Sequence, residues 1–171
     1  MARDLRLLVD RAATPIGDLL VVVDEQGYLR AADWADHEAR MRHLLRLQYT
    51  GRNPRIEPGA AAATAAFAAY FAGNLAAIDR LPVETGGTEF QRSVWSELRR
   101  IPCGQTLTYR ALAERVARPT AVRAVGHANG SNPISVAVPC HRVVGSNGTL
   151  TGYGGGIERK RWLLKHEQVT L

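Results

Sequence analysis

Three consecutive residues, Cys140-His141-Arg142, follow Pro139 at the end of an apolar stretch. The thiolate is the reactive form of cysteine, and a thiol of ordinary pKa near ~8.5 needs a base or a cation beside it to populate that form at neutral pH. His141 and Arg142 offer one of each within two residues. A lone cysteine is usually inert packing, but the run Pro139-Cys140-His141-Arg142 points to a nucleophile. The spacing also sets a condition. Neighbours in a strand point to opposite faces, so His141 cannot lean directly on Cys140 while both are extended. Either the chain turns at Pro139, or a water or another side chain carries the proton. Such a base also needs an acceptor to hold its tautomer. Residues 88–171 hold five acids for that role: Glu89, Glu97, Glu114, Glu158 and Glu167.

The elements that must position this cluster are legible around it. Thr88 with Gln91 forms a capping box, and Phe90, Val94, Leu98 and Ile101 recur near helical period, which predicts a helix over 89–100. A second helix is expected over 109–116 behind Thr108. Ala117-Arg118-Pro119 breaks it, and a third is expected over 121–129 capped by Thr120. Two short helices across a three-residue break fit a helix-turn-helix, and equally a plain structural pair. Ile134, Val136 and Val138 alternate, which predicts a short strand ended by Pro139. Gly154-Gly155-Gly156 lacks the Gly-Lys-Ser/Thr of a phosphate loop; it suits a ligand approached closely by backbone, or a flexible connector. The last helix is expected from Ile157 to Glu167, with Trp162, Leu163 and Leu164 inward and Arg159, Lys160 and Arg161 on a solvated face.

The first half carries no such chemistry. Leu5–Val9, Leu19–Val23 and Tyr28–Trp34 read as a β-meander, 36–47 and 60–71 as helices, 50–59 as a loop and 75–85 as extended chain. Gly86-Gly87 is the boundary, giving a support domain over 1–87 and a second domain over 88–171. Charge divides at the same place: residues 1–87 hold 10 basic and 11 acidic side chains, residues 88–171 hold 12 and 5. The whole excess of the chain, +6, therefore lies in the second half, as a footprint for a polyanion. At 171 residues, 46% hydrophobic and 22% charged, the composition is that of a folded chain with a sizeable core. No apolar run approaches the ~18 residues of a membrane span. Two cysteines, no CxxC, no HxxxH and no secretion signal lead us to expect a cytoplasmic protein without a metal site, a membrane association or a cofactor.

The stretch Ile134-Ser135-Val136-Ala137-Val138-Pro139-Cys140-His141-Arg142-Val143 closely resembles the active-site signature of the O6-alkylguanine-DNA alkyltransferases. The similarity extends over Phe90–Trp95, Tyr109, Arg123–Gly126, Asn132-Pro133, Gly152–Gly156 and Leu163–Glu167, in the same order and spacing. It implies an α/β two-domain fold. A ribonuclease-H-like N-terminal domain, a β-meander with helices, would precede a mainly helical, winged helix-turn-helix-like domain carrying the cysteine. It also implies a single-turnover DNA repair protein, a monomer acting on double-stranded DNA. That protein moves an alkyl group from guanine oxygen-6, and less so thymine oxygen-4, onto Cys140.

The resemblance further assigns roles. His141 would be the base, acting through a water and oriented by Glu167, with Asn132 linking the recognition helix to the site. Tyr109 would protonate the leaving guanine and crowd the phosphate, and Arg123 would fill the vacated base stack. Ala121, Ala124 and Ala128 would let the helix approach the minor-groove sugars, with Asn129 also at the DNA. Val143, Tyr153, Gly154 and Gly155 would line the alkylguanine pocket. Cys103 departs from the family, where a larger residue often stands, and the zinc ligands of some relatives are absent. Two other readings remain: a lesion-binding relative without transfer, which would lack the cysteine, and a cysteine hydrolase using Cys140, His141 and Glu167.

Overall fold

A computed structural model describes residues 3–171. The chain divides into two compact units between Gly87 and Thr88. In the first, strands β1 (Arg3–Ala12), β2 (Leu19–Asp24) and β3 (Leu29–Trp34) form the antiparallel meander. Every residue of β2 and β3 is buried, because helices cover both faces of the sheet. Helix α1 (Glu38–Gln48) sets Met41 and Leu45 against Leu5, Leu7, Leu20, Val22 and Ala31. Helix α2 (Ala62–Phe71) packs on β1 and β2, with Phe71 edge-on to Trp34 at 6.2 Å. Each large side chain buried in this way stabilises the unit by roughly 1.5–3 kcal/mol.

Two expectations fail here. Residues 52–58 are not a loop: β4 (Arg52–Pro58) runs parallel to β1 and completes the order β3-β2-β1-β4. Pro54 and Pro58 hid it, but β4 is an edge strand, where a missing amide costs no ladder bond on the open side. Residues 75–85 are not extended throughout. Leu75–Ile78 is a 3-10 turn, and only Val83 bridges to Leu29.

In the second unit the capping box forms as expected, with Thr88 accepting from the Gln91 amide and starting α3 (Glu89–Leu98). Strand β5 (Leu107–Thr108) leads into α4 (Tyr109–Arg115), and α5 (Val122–Gly130) follows across the break. Thr120 does not cap α5. Ala121 holds the N-cap position and no side chain closes that end. The Trp95 indole on α3 donates to the Ala128 carbonyl at 2.8 Å, locking α3 to α5. Residues 134–138 form no strand. They are buried on all sides in a tight turn, with the Val138 amide donating to the Ile134 carbonyl. Alternation misled because the segment is enclosed all round, not half-exposed. Beyond it, β6 (Val143–Val144) pairs with β5, and α6 (Ile157–His166) ends the fold. No described helix is long and apolar enough to cross a membrane.

Candidate active site

The site begins with Asn132, whose buried amide replaces the strand partners that the following turn lacks. Its Nδ2 donates to the carbonyls of Ile134 (3.2 Å) and Val138 (2.7 Å), and its Oδ1 accepts from the Ile134 amide (3.0 Å). This grip holds Val136 at φ +71°, a left-handed conformation that a β-branched residue adopts only under constraint, at a cost of ~1–3 kcal/mol. The chain then turns at Pro139 into a single 3-10 turn, Cys140–Arg142. The condition set by the sequence is thereby met: Cys140 and His141 are not on a strand. All three residues of the turn are buried.

Glu167, just past the end of α6, is the acid that meets them. Its Oε2 accepts from His141 Nε2 at 2.9 Å. Arg142 grips the same carboxylate with Nε on Oε1 at 2.8 Å and Nη2 on Oε2 at 3.0 Å, and donates Nη1 to the Ile101 carbonyl at 2.7 Å. The turn after α3 fits closely against this end of α6. A Cβ on Gly104, which sits at φ +87°, would lie 3.3 Å from the Glu167 carbonyl.

Burial and the neighbouring charges compete at both groups. Burial alone would push the Glu167 carboxyl up, but the hydrogen bond from His141 and the hydrogen-bonded Arg142 guanidinium outweigh it and hold the group below the usual carboxylate range. Burial pulls His141 below its ordinary value, against the opposing pull of Glu167, so the imidazole is neutral at neutral pH. With Nε2–H spent on a carboxylate, the lone pair stands on Nδ1. That atom is buried and has no hydrogen-bond partner among the described residues. The result is a neutral imidazole held through one nitrogen and open at the other, one residue from a buried thiol.

Tyr109 opens α4, and its hydroxyl accepts from Thr151 Oγ1 at 3.3 Å. It lines an open cleft of about 720 Å³ with Thr108, Arg110, Val122 and Ser146. On α5, Arg123 and Ala124 are exposed and Ala121 is half-buried, but Ala128 and Asn129 point into the core. The outward face of α5 therefore continues through His127 and not Ala128. Val143 is buried in β6, Gly155 is buried, Tyr153 is half-buried and Gly154 is exposed.

Lys160 does not lie on a solvated face. It is fully buried, and Nζ donates to the carbonyls of Val143 (2.6 Å) and Thr151 (2.8 Å). A signal for it existed: Lys160, Leu163, Leu164 and Glu167 share one helical face. Trp162, expected inward, is half-exposed and stacks on His166 at 4.6 Å.

A buried cysteine thus lies one residue from a buried histidine that a carboxylate orients, on a unit rich in basic side chains with paired helices. Residues 89–169 match the family model described as 6-O-methylguanine DNA methyltransferase, DNA binding domain. A methylated-DNA–protein-cysteine methyltransferase of Shigella flexneri is 55% identical, covering 98% of this chain and 99% of the relative. One of Salmonella typhimurium is 56% identical over the same shares. The crystal structure of Mycobacterium tuberculosis OGT in complex with DNA superposes with a TM-score of 0.76 at 39% identity, covering 96% of this chain and 93% of that one. The chain belongs to the methylated-DNA–protein-cysteine methyltransferase family.

Proposed function

We infer that this protein repairs DNA by direct reversal, moving the alkyl group of O6-alkylguanine, and less so O4-alkylthymine, onto Cys140. The observation that carries this is the His141 ring, pinned through Nε2 to Glu167 and open at Nδ1. A water bridging Nδ1 to the thiol would let His141 take the proton. The thiolate then attacks the alkyl carbon: the new bond is S–C, and the bond broken is C–O6. The guanine leaves as an anion, and Tyr109, at the rim of the cleft, supplies its proton. The thioether has no leaving group to regenerate the thiol, so each molecule acts once.

A base stacked in a duplex cannot reach a buried thiol, so the nucleotide must be extruded, at a cost of a few kcal/mol. Phosphate contacts from the basic unit offset that cost without reading sequence. In this account α4 and α5 act as a winged helix-turn-helix. Arg123 enters the stack from the exposed face of α5, and Ala121 and Ala124 allow close approach to the sugars. Val143, Tyr153, Gly154 and Gly155 flank the extruded base. Asn132 ties the end of α5 to the cysteine turn, while the buried Ala128 and Asn129 shape the helix from within. The first unit, whose sheet and helices suit a ribonuclease-H-like fold, acts as support. The working form is a cytoplasmic monomer on double-stranded DNA.

Intact mass after incubation with an O6-methylguanine duplex tests the proposal. One methyl replacing the thiol hydrogen is expected at Cys140, and none in Cys140→Ala, which should still bind DNA. Reduced, folded protein that gains no mass would refute it.

A further inference from the structure

Asparagine followed by glycine is the pair most prone to lose its side-chain amide, because glycine adds no side chain to shield its own backbone nitrogen. The chain holds two such pairs, Asn129-Gly130 and Asn147-Gly148. The fold treats them oppositely. The first closes α5, where Asn129 is 5% exposed and the helix fixes the backbone of both residues. The second lies in the turn between β6 and the glycine-rich loop, with both residues exposed. Gly148 sits at φ +77°, and a Cβ on it would meet nothing within 4 Å.

The turn also prepares the side chain. Asn147 Oδ1 accepts from the Thr149 amide at 3.3 Å and from the Thr149 hydroxyl at 2.7 Å. Both donors draw electron density from Cγ, and both lie where negative charge gathers when a nucleophile adds to that carbon. The nearest nucleophile along the chain is the Gly148 nitrogen, whose N–H donates to the Gly145 carbonyl at 2.9 Å. Opening one such exposed bond slows a reaction by roughly two- to tenfold. Freeing the Gly130 nitrogen would instead require the end of α5 to unwind, against the burial of Asn129 and the Trp95 bond to the Ala128 carbonyl.

We propose that Asn147 is a modification site, where the folded protein converts this asparagine to aspartate and isoaspartate with water as the only co-reactant, placing a negative charge beside the cleft. The Gly148 nitrogen gives its proton to hydroxide and bonds to Cγ. The Cγ–Nδ2 bond breaks, and Nδ2 takes a proton from water and leaves as ammonia, which restores the hydroxide. The succinimide so formed takes up one water at either of its carbonyls and opens to aspartate or isoaspartate. The net change is a carboxylate for an amide, next to Ser146, which lines the cleft with Tyr109 and Arg110. The consequence rests on the DNA-binding reading above: a carboxylate among groups that meet phosphate weakens the hold on DNA.

The experiment ages the full chain, folded and without DNA, in mildly alkaline reducing buffer, and follows both asparagines by peptide mass. A gain of about 1 Da, amide to carboxyl, is expected in the peptide holding Asn147 and not in the one holding Asn129. In denaturant the two should convert at similar rates, since the fold alone separates them. Thr149→Val should slow conversion at Asn147 about threefold, a small share of what a buried oxyanion donor is worth. An Asn147 that keeps its amide in the folded chain, or reacts no faster than Asn129, overturns the proposal; so does a Thr149→Val rate equal to that of the wild type. The consequence is read by gel shift on an O6-methylguanine duplex. Aged wild type and Asn147→Asp should bind about three- to tenfold more weakly than fresh wild type at low salt, the gap closing as salt rises. Asn147→Ser, neutral and unable to convert, should bind alike before and after ageing. Equal affinity of Asn147→Asp and fresh wild type overturns the effect on DNA. Conversion needs no DNA, so fresh protein that converts at Asn147 but takes no methyl from the duplex counts against the proposed function alone.

Discussion

Each unit buries an arginine among carboxylates, and the two networks end differently. In the first, Arg30 donates to Asp24 (2.8 Å), Glu84 (3.2 Å) and the Tyr49 hydroxyl (3.1 Å), while the other Asp24 oxygen accepts from the amides of Gln26 and Tyr28. Donors and acceptors match, and the network is closed. In the second, Arg142 and Glu167 make an equally tight pair, but the carboxylate also holds His141, whose far nitrogen is left open. Buried charge therefore does not by itself mark a working site. What sets the second network apart is that its unmatched atom, Nδ1 of His141, is a titratable nitrogen, an atom through which a proton can move.

Substitutions can break that comparison, and the largest effect is expected at the open end. His141→Ala should slow methyl transfer by ~10²–10⁴, the usual worth of a general base, with DNA binding retained in a gel-shift assay. Next come the two carboxylate networks themselves. Glu167→Gln should destabilise the fold by about 3–5 kcal/mol in denaturant unfolding and also slow transfer, since it removes a buried partner of two groups. Arg30→Ala should lose a similar ~3–5 kcal/mol yet leave the transfer rate of the folded protein unchanged.

Acid sharpens the contrast. The folded protein keeps His141 neutral, so it binds fewer protons than the unfolded chain near 6.5, and stability falls as pH drops through that value. Glu167, held below its ordinary 4.5, contributes stability that is present above that value and lost as pH falls further. Glu167→Gln should flatten this lower limb in unfolding measured across pH. A smaller effect is expected at the DNA: Arg123→Ala should slow repair in duplex more than in single strands. Equal losses on both would reduce Arg123 to a phosphate contact. The smallest is Thr88→Ala, which removes the capping box of α3 for about 1 kcal/mol.

How much of this the sequence carried follows from what each signal measures. Cys140 and His141 were legible as chemistry, while Glu167 was one of five acids until the family resemblance singled it out; the fold brings it to His141 from 26 residues away. The capping box was legible because Thr88 and Gln91 act locally. Strand β4 was not, since Pro54 and Pro58 signal a loop until the strand is known to be an edge. Residues 134–138 read as a strand because alternation cannot distinguish a half-buried ladder from a turn wrapped on all sides. Lys160 was assigned to solvent by its charge, although its helical face matched Leu164 and Glu167; residue type outweighed position, and position was right.

Whether Cys140 is a stoichiometric acceptor is decided by counting. Methyl groups transferred from a large excess of O6-methylguanine duplex should plateau at one per protein molecule, with no further loss from the DNA. Continued turnover past one, or no transfer by reduced and folded protein, would contradict it.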